Sequence, residues 1–317
     1  MLEDASVKTF RVKAFNPSVP CIMPRGQFAA LPAIRKWFRT DSDERTVINS
    51  AYLERFGHAM VPLEFTRLPS SKEHLDNDFL RSKAPLSLFL EWTQKAGIDT
   101  LDRLYLAQAS FSDLPQAMVE DLPTPDIVTK AGRGDIYDTN LWIGVPPTYT
   151  PLHRDPNPNL FVQLVGQKIV RILEPEKGQD VFAHVQRTLG RSGSAAFRDE
   201  DMMKGQERRV LEEFIWGDSQ PLSGKASTGY EVHLGSGDGL FIPNGWWHSI
   251  KGVGQGITGS VSTLIIIINR GSGILTRLSG QLVVSMTSRD FQSDMHCSCK
   301  LRGITTYLVY MSTKMYL

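Results

Sequence analysis

Apolar and polar positions along the chain change their rhythm near residue 137. Before that point helical spacing recurs. Leu31, Ile34, Trp37 and Phe38 fall on one face of a predicted helix, residues 50–56 predict a second one closed by Gly57, and residues 86–96 a third between Pro85 and Gly97. Short extended runs are expected at residues 20–24 and 61–65, with Pro62, lacking an N–H, predicting an edge position for the second, and residues 103–108 form a short apolar run. The acidic, proline-punctuated residues 115–125 read as a loop or a helix turn. Beyond Tyr137 the period shortens to two, and strands are expected within residues 137–175 and at 230–234, 239–242 and 257–268. Gly166 and Gln167 stand between two alternating runs, which predicts a hairpin. Residues 178–230 are polar, strand-poor and too long for a plain connection, so they predict an insert with a helix at residues 202–216, lying over the mouth of a site. Leu264 to Ile268, β-branched after its first residue, predicts a buried strand that continues the one begun at Ile257. A helical first part followed by many short strands predicts a barrel or sandwich with helical decoration.

Composition narrows the function classes. With 35 Lys and Arg against 34 Asp and Glu, the net charge of +1 calls for neither nucleic acid nor an anionic membrane as partner. The cysteines are Cys21, Cys297 and Cys299, an odd set that argues against a disulfide scaffold and for a reducing compartment. The first fifteen residues carry no apolar stretch of the kind a secretory signal needs. The most apolar run, residues 264–268, is far below the roughly 20 residues that span a bilayer. The expected location is intracellular, in the cytoplasm and/or nucleus, with no membrane partner.

The chemistry gathers around His153 and Asp155. Residues i and i+2 of a strand project from one face, so an imidazole and a carboxylate point together into whatever the sheet encloses. A second imidazole arrives late, as His248 in GDGLFIPNGWWHSI. Two histidines and one carboxylate with open coordination positions suit Fe(II) in a non-haem oxygenase. A lone His-x-Asp is also common as a surface ion pair, so the surrounding residues decide. His233 is a rival third ligand, in a strand-like run with no turn to present it. Lys168 shares a strand face with the apolar Val170 and Ile172 and therefore points inward, where a buried ammonium needs a partner.

Three motifs carry a family resemblance: YLAQ (residues 105–108), TPLHRDPNPNLFVQLVGQK (residues 150–168) and GDGLFIPNGWWH (residues 237–248). Over about residues 103–261 the chain resembles the JmjC, or cupin-like, branch of the 2-oxoglutarate-dependent oxygenases, closest in look to the small asparaginyl and arginyl hydroxylases. The resemblance implies a double-stranded β-helix, a cupin-type jelly roll, over about residues 130–270. It implies a helical and strand region at residues 1–129 packed on that barrel, and it leaves residues 271–317 as a divergent tail.

By the same resemblance Fe(II) is held by His153, Asp155 and His248, and His248 is preferred to His233 because the family uses a Trp-Trp-His arrangement after a proline. 2-Oxoglutarate and O2 are the cosubstrates, with Lys168, Thr150 and Tyr105 receiving the distal carboxylate and Asn159 near cosubstrate and metal. The implied function is hydroxylation of a protein side chain, or demethylation through hydroxylation of an N-methyl group. Alternatives are an oxygenase acting on tRNA or a small metabolite, a catalytically silent binding module, and a zinc or manganese cupin that uses no 2-oxo acid. One departure stands out: where the family places an asparagine and then aromatics, this chain reads Ser262-Thr263-Leu264-Ile265.

Overall fold

The computed structural model describes residues 1–67, 78–95, 101–190, 203–217 and 229–266, and beyond them the backbone of four short strands. The chain divides into two compact units, Met1–Ile266 and Ile267–Leu317. In the second, Ile274–Leu278 pairs antiparallel with Gln281–Ser285, and Lys300–Leu301 with Ile304–Thr305. The rest of the expected tail lies outside the described residues.

The first unit contains β1 (Cys21–Ile22), β2 (Phe38–Thr40), β3 (Thr46–Ile48), β4 (Met60–Arg67), β5 (Asp78–Pro85), β6 (Asp102–Ser110), β7 (Ile136–Gly144), β8 (Thr148–Arg154), β9 (Asn159–Val165), β10 (Gln167–Leu173), β11 (Gly229–Leu234), β12 (Gly239–Ile242), β13 (Trp247–Val253) and β14 (Thr258–Ile265). Eight strands form one sheet in the order β1-β12-β9-β14-β7-β6-β4-β5, and four form a second in the order β11-β10-β13-β8. Every pairing within these sheets is antiparallel. This is the mainly β jelly roll expected. The N-terminal region does more than pack on the barrel, since β4, β5 and β6 extend its larger sheet.

Strand alternation sorts the core into three layers. Phe161, Leu240 and Ile242 of the larger sheet meet Val170, Ile172, Val232 and Ile250 of the smaller one between the sheets. The outer face of the larger sheet, with Leu141, Ile143, Leu160, Val162, Val261 and Ile265, is covered by N-terminal residues such as Phe10, Ala33, Trp37 and Phe89. Leu152 and Trp247 on the back of the smaller sheet are covered by Val181, Phe182, Val185, Leu211 and Ile215. These last come from the helices Pro175–Thr188 and Gly205–Trp216.

Three expectations are corrected here. The described helices of the insert cover the back of the smaller sheet, because their apolar stripes match Leu152 and Trp247 there; they do not lie over the mouth. Gly166 (φ +66°) does not close a hairpin. It turns the chain from β9 in one sheet to β10 in the other, so each strand finds its partners elsewhere. Finally, β4 is an inner strand between β5 and β6. Pro62 sits where β4 has a partner on one side only, opposite Lys83 of β5, since β6 pairs only from Leu63 onward.

Candidate active site

A β-bulge builds the site. On β13, His248 lies opposite His153 and Ile250 opposite Thr150, so two residues on one strand span three on the other. The extra residue in β8 shifts its alternation. Thr148, Thr150 and His153 consequently line one cavity with His248 and Ile250, while Leu152 packs into the core behind, beside Trp247. Asp155 lies one residue past the end of β8 and reaches the same cavity from the turn.

The ligating atoms of His153, Asp155 and His248 all lie within 4.8 Å of one another. Nε2 of His153 is 3.7 Å from Oδ1 of Asp155, and Nε2 of His248 is 3.6 Å from its Oδ2. His153 donates its Nδ1–H to the Pro151 carbonyl at 2.8 Å, which fixes the ring with Nε2 turned toward the carboxylate. Burial, helped by the neighbouring His153, pushes the His248 pKa down to about 4 against the pull of Asp155, so its ring is neutral at pH 7, the form a metal needs. Asn159 donates from Nδ2 to Oδ2 of Asp155 at 2.9 Å and fixes that carboxylate. The two imidazoles and one carboxylate, clustered and oriented by backbone and amide contacts, are a donor set that fits Fe(II) with positions to spare. His233 stands apart: it is exposed and bonded to Glu231 at 2.9 Å.

The far wall of the cavity is cationic. Lys168 is 3% exposed and donates to Ser260 Oγ at 2.6 Å and to Tyr105 OH at 3.3 Å. Burial lowers its pKa to about 7. Among the described residues no carboxylate pairs with it, so an anion entering the cavity is the partner its charge lacks. Gly144 makes room for Tyr105, since a Cβ there would meet the ring at 2.3 Å. The Tyr105 phenol is pushed well above its ordinary pKa by burial and stays protonated.

All seven expected site residues, Tyr105, Thr150, His153, Asp155, Asn159, Lys168 and His248, line this one cavity. So do Gln108, Asn140, Trp142, Ser262 and Leu264, to which sequence reasoning gave no role. Gln108 is a non-glycine residue at φ +56° beside a break in the β6–β7 ladder. The Asn140 amide donates to Asp138 at 3.0 Å, and its carbonyl oxygen is buried without a partner. The cross-strand row Asn140, Ser262, Phe161 was signalled by alternation in β7, β14 and β9, once their register is known.

A jelly roll with a His-x-Asp pair and a distant histidine in its mouth defines a class, the cupin-type metal-site proteins. Comparison with known proteins then places the chain: residues 7–270 match the cupin-like domain, and the chain belongs to that family, in its JmjC branch. It is 26% identical over 247 residues to Lysine-specific demethylase JMJ30 of Arabidopsis thaliana, which is 78% of this chain and 50% of the relative. It is 29% identical over 177 residues to Lysine-specific demethylase 8 of Danio rerio, 51% of this chain and 39% of the relative. Jumonji C domain-containing protein 5 of Drosophila melanogaster is 25% identical over 258 residues, 79% of this chain and 56% of the relative. The chain thus spans about half the length of these relatives or less. Among the described residues no helix is long and apolar enough to cross a membrane.

Proposed function

We propose that this chain is an Fe(II)- and 2-oxoglutarate-dependent oxygenase acting on a protein or peptide, hydroxylating a side chain or removing an N-methyl group by the same C–H hydroxylation. One observation carries the reading: two imidazoles and a carboxylate share a cavity with a buried lysine that no carboxylate among the described residues pairs with. His153, Asp155 and His248 would hold the iron, and Lys168, Tyr105 and Thr150 would take the distal carboxylate of 2-oxoglutarate. Held by these residues, iron and 2-oxoglutarate would supply O2-driven hydroxylation of a substrate C–H bond, with release of succinate and CO2.

The protein's own contribution is positional. Asn159 and the Pro151 carbonyl orient two ligands. Phe161, Ile250 and Leu264 keep the cavity apolar between its ionic ends. Asn140 offers an unpartnered acceptor to a substrate N–H. Protein as substrate class is supported by the demethylase names of two relatives; a tRNA or small-metabolite substrate has no comparable support. The test is succinate release from 2-oxoglutarate under air by purified wild type and Asp155→Ala. Iron-dependent succinate from wild type and none from the variant is expected. No turnover by wild type with any lysine- or methyl-lysine-containing peptide tried, despite bound iron, would leave a silent binding module as the better reading.

A further inference from the structure

Ser260 does not line the cavity, yet it holds the lysine that does. Lys168 projects from β10 in the smaller sheet and Ser260 from β14 in the larger, and their 2.6 Å hydrogen bond crosses the space between the sheets. Ser260 is fully buried. The inner face of β14 carries Thr258, Ser260, Ser262 and Leu264, while its back carries Val261 and Ile265 in the apolar core. The Thr258 hydroxyl is already used, bonded to Gln163 at 2.9 Å. Ser260 Oγ, by contrast, has Lys168 as its hydrogen-bond partner, at the shorter of the lysine's two contacts.

An ammonium carries three N–H donors. Ser260 and Tyr105 take two, and the third is left for a ligand. The rings of Phe161 (5.4 Å) and Tyr105 (5.9 Å) hem the charge in, so it has little freedom to seek another partner. Without Ser260 Oγ the charged form would lose its best acceptor in a site where burial already disfavours it. The titratable groups facing Lys168 are Tyr105 from β6, with Glu64 of β4 behind it, and the three groups of the metal cluster across the cavity.

We propose that Ser260 is a positioning residue: by accepting one N–H of Lys168 it aims another at the far carboxylate of a bound dicarboxylate, so that the pocket selects a 2-oxo diacid over a 2-oxo monoacid. This rests on the reading of the cavity as a 2-oxoglutarate site, and the controls separate the two. Binding of 2-oxoglutarate and of 2-oxopentanoate, which lacks the distal carboxylate, is measured anaerobically on the full chain loaded with Mn(II).

Ser260→Ala is expected to weaken 2-oxoglutarate about tenfold and 2-oxopentanoate less than about twofold, the size of one lost charge-assisted contact. Ser260→Thr is expected to restore the preference. Ser260→Cys, close in size but a poor acceptor, is expected to lose it and serves if the alanine variant does not fold. Equal weakening of both ligands, or no change in either, would overturn the proposal and leave Ser260 as packing. Lys168→Ala with unchanged 2-oxoglutarate affinity would instead overturn the reading of the cavity itself.

Discussion

Replacing Lys168 with methionine keeps a side chain of similar length and removes its charge, in a cavity where that charge has only hydroxyl partners. Lys168 is 3% exposed, and burial lowers its pKa to about 7. A dicarboxylate that binds there supplies the missing counter-charge and raises the pKa again. Charge-assisted hydrogen bonds contribute about 1.5–3 kcal/mol, so Lys168→Met is expected to weaken 2-oxoglutarate by about ten- to a hundredfold while leaving the metal in place.

The same physics fixes a pH dependence. Below about pH 7 the lysine is already protonated and wild-type affinity is flat. Above it each ligand must bring in one proton, so affinity falls about tenfold per pH unit until the raised pKa of the complex is reached. The ligand-free fold follows the linkage with its own sign. Between about pH 7 and the ordinary value of 10.5 the unfolded chain holds more protons at this site than the folded one, so stability rises with pH across that window. The assay is anaerobic calorimetry of 2-oxoglutarate binding from pH 6 to 9 in buffers of different ionisation enthalpy, for both proteins. A flat wild-type profile, or a methionine variant that binds as wild type does, would refute the reasoning.

Two further outcomes follow from packing. Gly178→Ala lies inside the helix Pro175–Thr188, where alanine is ordinarily favoured by about 1 kcal/mol, but a Cβ there would meet Trp247 Cγ at 2.0 Å. A lower Tm, by the equivalent of about 1–3 kcal/mol of overpacking, is expected; a higher one would show that Trp247 does not hold that position. Asp121 is 1% exposed and accepts from Trp37 Nε1 (2.8 Å), Tyr52 OH (2.6 Å) and Lys36 Nζ (2.5 Å). Burial works to raise its pKa, but these three donors outweigh it and hold the carboxyl low. Its contribution is therefore present above the ordinary 3.8 and lost as pH falls through the lower folded value. Asp121→Ala, which orphans the buried indole N–H, is expected to cost about 2 kcal/mol or more at pH 7 and to flatten the acid limb of the Tm–pH curve.

Which parts of this site were legible depends on how local their causes are. Lys168 could be read as inward because Val170 and Ile172 mark its face two and four residues on, and the structure buries all three. The pairing of His153 with Asp155 was legible as spacing, although the reason is different: the carboxylate comes from the turn after β8, and the bulge opposite His248 and Ile250 turns His153 inward. A bulge is a property of two strands together, and β13 lies nearly a hundred residues later than β8, so no local pattern could announce it. Gly166 signals a reversal, but the same φ serves a hairpin and a crossing between sheets; only the burial of both neighbouring strands chooses. The helix that starts at Pro175 was not read from the sequence, because Pro and Gly within four residues depress helical propensity. Pro175 is the first residue of its helix, where a missing N–H costs nothing, and Gly178 is where Trp247 packs close. Ser260 and Asn140 were invisible because an inward polar residue on a strand has meaning only beside its cross-sheet neighbour.

The claim on which everything else rests is that His153, Asp155 and His248 share one metal ion. Anaerobic Fe(II) titration of the full chain tests it directly, with metal content measured after desalting. We expect one ion per chain in wild type and in His233→Ala, whose ring is exposed and bonded to Glu231, and none in Asp155→Ala or His248→Ala. Iron retained by both of those variants, or lost from His233→Ala alone, would contradict it.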